Sequence, residues 1–439
     1  MSTALADLLA GHPAPLEGLS KQRQAAAELW RRAGMPSVRQ EGWRYTSLQR
    51  LQELSYRLAG ENDCEISPET LAVLHGRSLV RTGNAQVILL NGQFLADHFD
   101  GAALPDGVTV QSLTQLSEQE PQQLPHHVSV GEGAADPDFS HLNLATLNDG
   151  LLIEVSEGVV IDRPLHILVL SVGDTGLMTT PRISVRLQQG ARLSLIEEYL
   201  GADQGGGFTN AVTEIALERN AHLSHHRFIQ GATAVDHIGS VVARQAEGSH
   251  LESDSIVLGA CFCRVDIDVA LQEREARCRL NGLFLGQGED HIDHHTTIRH
   301  LASETRSEQL YRGVLDERSR GVFNGKVIVA ESTRGIDAQQ ASNNLLLSAA
   351  AEIDAKPELQ INADDVRCSH GATVGELDQD ALFYLRSRGV AEEQARAMLI
   401  YAFAARVIDR IPLPELQDAL AARLLGESTA SQLPSEGAA

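Results

Sequence analysis

The sequence predicts a mainly β protein: a solenoid of stacked parallel coils with helical regions at both ends. Three observations lead there. Ala191 to Gly201 (ARLSLIEEYLG) resembles Ala221 to Gly231 (AHLSHHRFIQG), Ser249 to Gly259 (SHLESDSIVLG) and Ala276 to Gly286 (ARCRLNGLFLG), with starts 30, 28 and 27 residues apart. Aromatic residues make up only 4% of the chain while glycine numbers 37, which suits short strands and tight turns. After Gly375 the apolar period turns helical. A strand-and-turn unit of this length cannot cover its own apolar face, so neighbours must stack and share a core. An antiparallel sandwich would predict no sustained repeat of this period.

Residues 1 to about 80 read as mostly helical, with Ala4 to Ala10 and Lys21 to Ala33 as helices and Gly34 and Pro36 ending the second. Glu41 to Leu48, which includes Trp43 and Tyr45, reads as an aromatic turn that packs this region onto the next part of the chain. Gln86 to Leu90 is the first clear strand, and 111–140, with Pro121, Pro125 and Pro137, reads as a loop-rich boundary. Short strands come next at Leu151–Val155, Leu165–Leu170, Arg182–Leu187, Arg192–Tyr199 and Val212–Leu217. Roughly eight coils between Leu151 and His370 would give a rod of about 38 Å at ~4.8 Å per coil. Beyond them Asp378 can cap a helix over Ala381 to Arg388, Gly389 can end it in a left-handed conformation, and Ala391 to Asp409 continues to Pro412. Pro414 opens a last helix to about Leu425. The expected division is 1–140 helical, 141–370 solenoid, 371–426 helical, and 427–439 disordered for want of any apolar period.

Charge and cysteines narrow the function. Lysine and arginine total 36 against 59 acids, a net −23, which repels nucleic acid and anionic membrane in the absence of a basic run. The longest apolar runs, Leu165 to Val172 and Leu399 to Phe403, are too short to span a bilayer. There is no basic-then-apolar leader, and five sparse cysteines (Cys64, Cys261, Cys263, Cys278, Cys368) suit a reducing, cytoplasmic setting. No phosphate loop, dinucleotide fingerprint, Gly-x-Ser-x-Gly or His-Glu-x-x-His occurs.

Three groups of side chains could bind metal. Asp290 to His295 is the densest; on a strand His291, Asp293 and His295 share a face, although histidines also suit the polar outside of a coil. Cys261 and Cys263 would share a strand face, and buried small hydrophobes are the simpler reading of both. His225 and His226 point to opposite faces. Cys368 and His370, also two apart, stand where the repeat gives way to helix, and a terminal coil has unpaired edges that must be capped or joined to a partner.

Trp43-Arg44-Tyr45-Thr46, Asn343 to Leu347, Cys368-Ser369-His370-Gly371-Ala372-Thr373-Val374-Gly375 and Phe383 to Gly389 together resemble the SufB/SufD family. These are scaffold subunits of the sulfur-mobilisation system for iron–sulfur cluster assembly. The resemblance spans about residues 36–410 and is most specific over 340–405. Without a Cys-x-x-Cys near the start, and with Arg-Ser-Arg-Gly after Tyr384-Leu385, the chain fits the D-type side of the family better than the B-type. The resemblance implies a right-handed parallel β-helix between helical domains and a heterodimer with a SufB-like chain. It implies a SufC-like ABC ATPase on the C-terminal helices, with Phe383, Tyr384, Leu385, Arg386 and Arg388 as partner-binding residues, and allows a homodimer of the isolated chain. It further implies that His370, with Cys368 beside it, lies at the SufB interface as a ligand of the nascent cluster, and that any nucleotide is bound by the ATPase rather than by this non-enzymatic chain.

Two other classes compete. A β-helical carbohydrate-active enzyme would need a cleft of acids and sugar-stacking aromatics, and aromatics are scarce. A stand-alone metalloprotein would use the histidine cluster at 290–295.

Overall fold

The computed structural model of the chain describes residues 5, 8–10, 16–60, 63–80, 85–99, 101, 104–119, 124, 139–201, 207–231 and 235–425. From Arg182–Leu187 onward consecutive strands alternate between two sheets, so that each strand hydrogen-bonds to the one two places later in the chain. One sheet runs from Leu151–Val155 through Arg182–Leu187, Gly207–Leu217, Val235–Gln245, Phe262–Leu271, His291–His300 and Arg320–Val329 to Glu352–Ile361. The other runs from Ala85–Leu90 through Leu165–Ser171, Arg192–Gly201, His222–Gln230, His250–Leu258, Arg277–Gly286, Arg306–Leu315 and Ile336–Leu346 to Val366–Glu376. Every pairing along both paths from Leu151 and Ala85 onward is parallel, which is the expected solenoid.

The internal repeat is the register. Leu193 pairs with Leu223, Leu223 with Leu251, and Leu251 with Cys278. The column continues through Ser307 and Ala338 to Cys368. These leucines are buried and face the interior, each worth roughly 1.5–3 kcal/mol when withdrawn from water. The corner between the two strands of a coil needs a residue in the left-handed region, and the chain supplies Gly190 (φ 69), Asn220 (φ 56), Gly248 (φ 63) and Glu275 (φ 62). Glycine and asparagine adopt it at low cost, so the repeat is punctuated where the chain turns. The corners are themselves stacked, for the Gly190 amide donates to Arg219 O and the Asn220 amide to Glu247 O.

Helices cover the outside of both sheets. Trp30, from the helix Ser20–Ala33, meets Phe139 edge-on at 5.2 Å, and with Trp43 they pack on Phe208, Ile238 and Phe262 of the first sheet. That helix, Gly34 at its end (φ 70) and the packing role of Trp43 are as expected. Of Ala4 to Ala10 the described residues are Leu5, helical and buried, and the single turn Leu8–Ala10; the tail 427–439 lies wholly outside them. At the C-terminus, Asp378 accepts from the Asp380 and Ala381 amides to start the helix Gln379–Ser387, and Gly389 (φ 89) lies just past its end. Helices Glu392–Ile408 and Pro414–Leu425 seat Ala404, Val407, Ile408 and Leu420 on Phe228, Ile256, Leu283 and Leu310 of the second sheet. No helix among the described residues is long and apolar enough to cross a membrane.

Candidate functional site: the open end of the solenoid

The last coil consists of Glu352–Ile361 and Val366–Glu376, and among the described residues each strand has a sheet neighbour on one side only. Pro357 sits in the first of them, as suits an edge strand, where a missing amide donor removes no ladder bond. Along Val366–Glu376 the residues from Ser369 onward are all exposed, Val374 by 54%. A row of unpaired backbone groups beside exposed apolar side chains is a template for another chain.

Cys368 and His370 lie on this edge and share the interior-facing side. Cys368 pairs with Ala338 and ends the leucine column; His370 pairs with Gln340 and ends the column that holds Leu195, His225, Ser253, Leu280 and Gln309. Cys368 is half-buried against Ile336, Ala338 and Val366, and burial pushes its thiol above the ordinary value. His370 is exposed, next to Gly371, whose missing side chain faces open space. The rung thus offers one sulfur and one imidazole nitrogen to whatever covers the end.

Beside this edge the helix Gln379–Ser387 presents Phe383 and Tyr384 outward, 72% and 57% exposed. Arg388 donates to the Tyr384 hydroxyl at 3.2 Å and lies over its ring, while Arg386 pairs with Glu392 at 3.3 Å. Leu385 differs from the other four: it is half-buried against Leu382, Val390 and Leu399 within the tail. The exposed surface is therefore an aromatic pair flanked by two arginines.

The other predicted clusters are accounted for by the fold. His291, Asp293 and His295 do share the outer face of the first sheet, but Asp293 is the anchor of the N-terminal segment. Its Oδ2 accepts from the Thr46 hydroxyl (2.6 Å) and Arg264 Nη1 (2.9 Å), and His295 Nε2 lies 3.0 Å from Oδ1. Burial alone would raise this carboxyl, but His295, Arg264 and Thr46 hold it well below the ordinary range. Asp293 is engaged by the N-terminal segment, and among the described residues His291, Asp293 and His295 do not bring three ligand atoms within 4.8 Å of one another. Cys261 and Cys263 do not share a strand face as expected, because the strand begins at Phe262; Cys263 is buried in the core, its thiol pushed up to about 12, and Cys261 sits on the turn before it. His225 and His226 do point to opposite faces, yet both are fully buried, on Ser253 (3.0 Å) inside and Asp254 (2.7 Å) outside.

Sequence reasoning missed a charged cluster inside the coils. Glu197 is fully buried, accepts from Thr213 (2.9 Å) and Tyr199 (3.1 Å), and lies 3.1 Å from His225 Nε2. Arg227 stands 3.8 Å from it and 4.8 Å over the Tyr199 ring. Burial would raise the Glu197 carboxyl, but His225 and Arg227 hold it below the ordinary value. The available signal was its inward position within the aligned repeat.

Known proteins resemble this chain in sequence along most of its length, the terminal rung included in the matched span. A family model of the SUF system FeS cluster assembly SufBD core domain matches residues 170–403, and one of the SufBD protein N-terminal region matches 7–167. The chain is 33% identical over 412 residues to an iron–sulfur cluster assembly SufBD family protein of Synechocystis, covering 92% of this chain and 89% of that one. It is 29% identical over 426 residues to the iron–sulfur cluster assembly protein SufD of Escherichia coli, covering 93% of each. A protein of the same name from Bacillus subtilis is 27% identical over 283 residues, 62% of each chain. The chain belongs to the SufBD family of iron–sulfur cluster assembly proteins, and it is SufD-like.

Proposed function

We propose that the chain is the non-enzymatic scaffold subunit of a SufBCD-type complex, joining a SufB-like chain at the open end of the solenoid and a SufC-like ABC ATPase at the C-terminal helices. The observation that carries this reading is the unpaired last rung, with Cys368 and His370 side by side on its interior face. Two ligands on an edge are too few to hold a cluster, whereas a second chain closing the rung could add thiolates to them. Mixed histidine and cysteine ligation occurs in stable clusters, and an imidazole is a suitable ligand for iron. The half-buried Cys368 thiol must lose a proton to ligate, which its surroundings oppose, so His370 is the better candidate of the two. A shared, incomplete site also allows the nascent cluster to be released.

The exposed Phe383–Tyr384 pair with Arg386 and Arg388 supports docking of the ATPase, since aromatic residues and arginine dominate such contacts. ATP hydrolysis then belongs to that partner. Co-expression with a SufB-like chain and a SufC-like ATPase tests the proposal. All three should elute together by size exclusion and deliver clusters to a reporter enzyme, and a chain that elutes alone contradicts it.

A further inference from the structure

We infer that His222, His250 and Glu252 form a binding site for one divalent transition-metal ion on the outer face of the second sheet, separate from the end of the solenoid. His222 and His250 open adjacent strands and are paired in register, so one imidazole stands above the other, ring centroids 4.6 Å apart. Glu252, two residues after His250, returns to the same face, and its Oε1 lies 3.6 Å from His250 Nε2. One ligand atom from each of the three lies within 4.8 Å of the other two. It is the one such three-residue group among the described residues.

Two features favour a cation over simple packing. His222 Nε2 is buried with no hydrogen-bond partner, a cost that a metal bond would remove. Arg279 grips the other oxygen of Glu252 at 2.7 Å, fixing the carboxylate with Oε1 toward the histidines, as outer partners of metal ligands do. All three side chains are half-buried, so coordination positions stay open to solvent. Burial lowers both histidines, against the upward pull of Glu252. Arg192, Arg277 and Arg279 oppose added positive charge and limit the affinity. Two imidazoles and one carboxylate suit zinc, cobalt or ferrous iron rather than calcium or magnesium.

From His250 the register runs through Arg277, Arg306 and Asp337 to Arg367, so the site lies four rungs, about 19 Å at ~4.8 Å each, from the coil that holds His370. One rung beyond Arg279, Glu308 pairs at 2.7 Å with Arg410, just beyond the helix Glu392–Ile408. The site therefore borders the seat of the C-terminal helices.

The test is titration of the tagless, metal-stripped full-length chain with Co2+, read by visible absorption, and with Zn2+ in competition. One equivalent should bind. His222→Ala and His250→Ala should each weaken it about tenfold or more, Glu252→Gln should do likewise, and His370→Ala should leave it unchanged. Zinc should raise the Tm of the parent chain and not that of a folded His250→Ala variant. No binding by the parent, or binding unchanged in both histidine variants, overturns the inference. Loss in His370→Ala would instead place the ion at the end of the solenoid, equally against it.

Discussion

His370 stands opposite Gln340 in the last rung of the solenoid, and on its other side no strand among the described residues pairs with it. Gln340 is buried and neither of its side-chain polar atoms has a partner, whereas His370 is exposed. One step along the axis thus crosses from a closed interior to an open edge. This step places an imidazole at the surface while its neighbours in the column stay enclosed.

The leucine column should carry much of the stability of the coils. Leu223 is fully buried between Leu193 and Leu251, and Leu223→Ala leaves a cavity that the coils above and below cannot fill. We expect a loss of about 2–5 kcal/mol, measured by denaturant unfolding. An exposed substitution such as Val374→Ala should change stability by less than ~0.5 kcal/mol.

The N-terminal segment is fastened through Arg264, which lies 3.7 Å over the Trp43 ring, donates to Gly42 O, and holds Asp293. Arg264→Ala leaves Asp293 buried without its cation and should cost about 3–5 kcal/mol. Because the folded carboxyl is held below its ordinary value, its stabilisation is present above the unfolded value near 3.9 and is lost only as pH falls toward the folded one. The stability difference between the parent and Asp293→Asn should therefore stay flat from pH 8 to about 5 and shrink below about 4. A difference that vanishes near pH 6 would point to histidine rather than to Asp293.

Much of this was legible in the sequence because the repeat is a register. Leucines recur where interior columns run, and glycine or asparagine marks the left-handed corners at Gly190, Asn220 and Gly248, whereas Glu275 carried no such signal. The C-terminal helices were legible from Asp378 and Gly389, which cap and stop the first of them. The role of Asp293 was not, since its partner Thr46 lies 247 residues away in the chain. Nor was the interior place of Glu197 and Arg227, whose residue types argue for the surface while their repeat position argues for the core. The position was the better guide, because each charge has a partner there.

Thiol chemistry separates the cysteines. Cys263 and Cys278 are buried, and burial pushes both thiols up. In the native chain they should resist alkylation, with Cys368 modified sooner than either. Rapid labelling of Cys278 in the folded protein would contradict its place inside the coils.

The exposed aromatic pair should matter for binding and little for folding. Phe383→Ser with Tyr384→Ser should weaken the ATPase complex by tenfold or more, as loss of a central anchor does, and leave the Tm nearly unchanged. Removal of residues 377–425 is a poorer probe, because it would uncover Phe228, Ile256, Leu283 and Leu310. ATPase binding at full strength by the double variant would move the docking surface elsewhere.

The most direct test of the scaffold assignment is cluster delivery by a complex built with His370→Ala, with assembly checked by size exclusion and Cys368→Ser as the comparison. The account predicts that the variant assembles with both partners, because one exposed edge side chain carries little of the core, yet fails to deliver clusters to a reporter enzyme. Cys368→Ser should be milder. Full delivery by the His370→Ala complex would contradict a ligand role for His370, and failure of that complex to assemble would show that the residue shapes the interface instead.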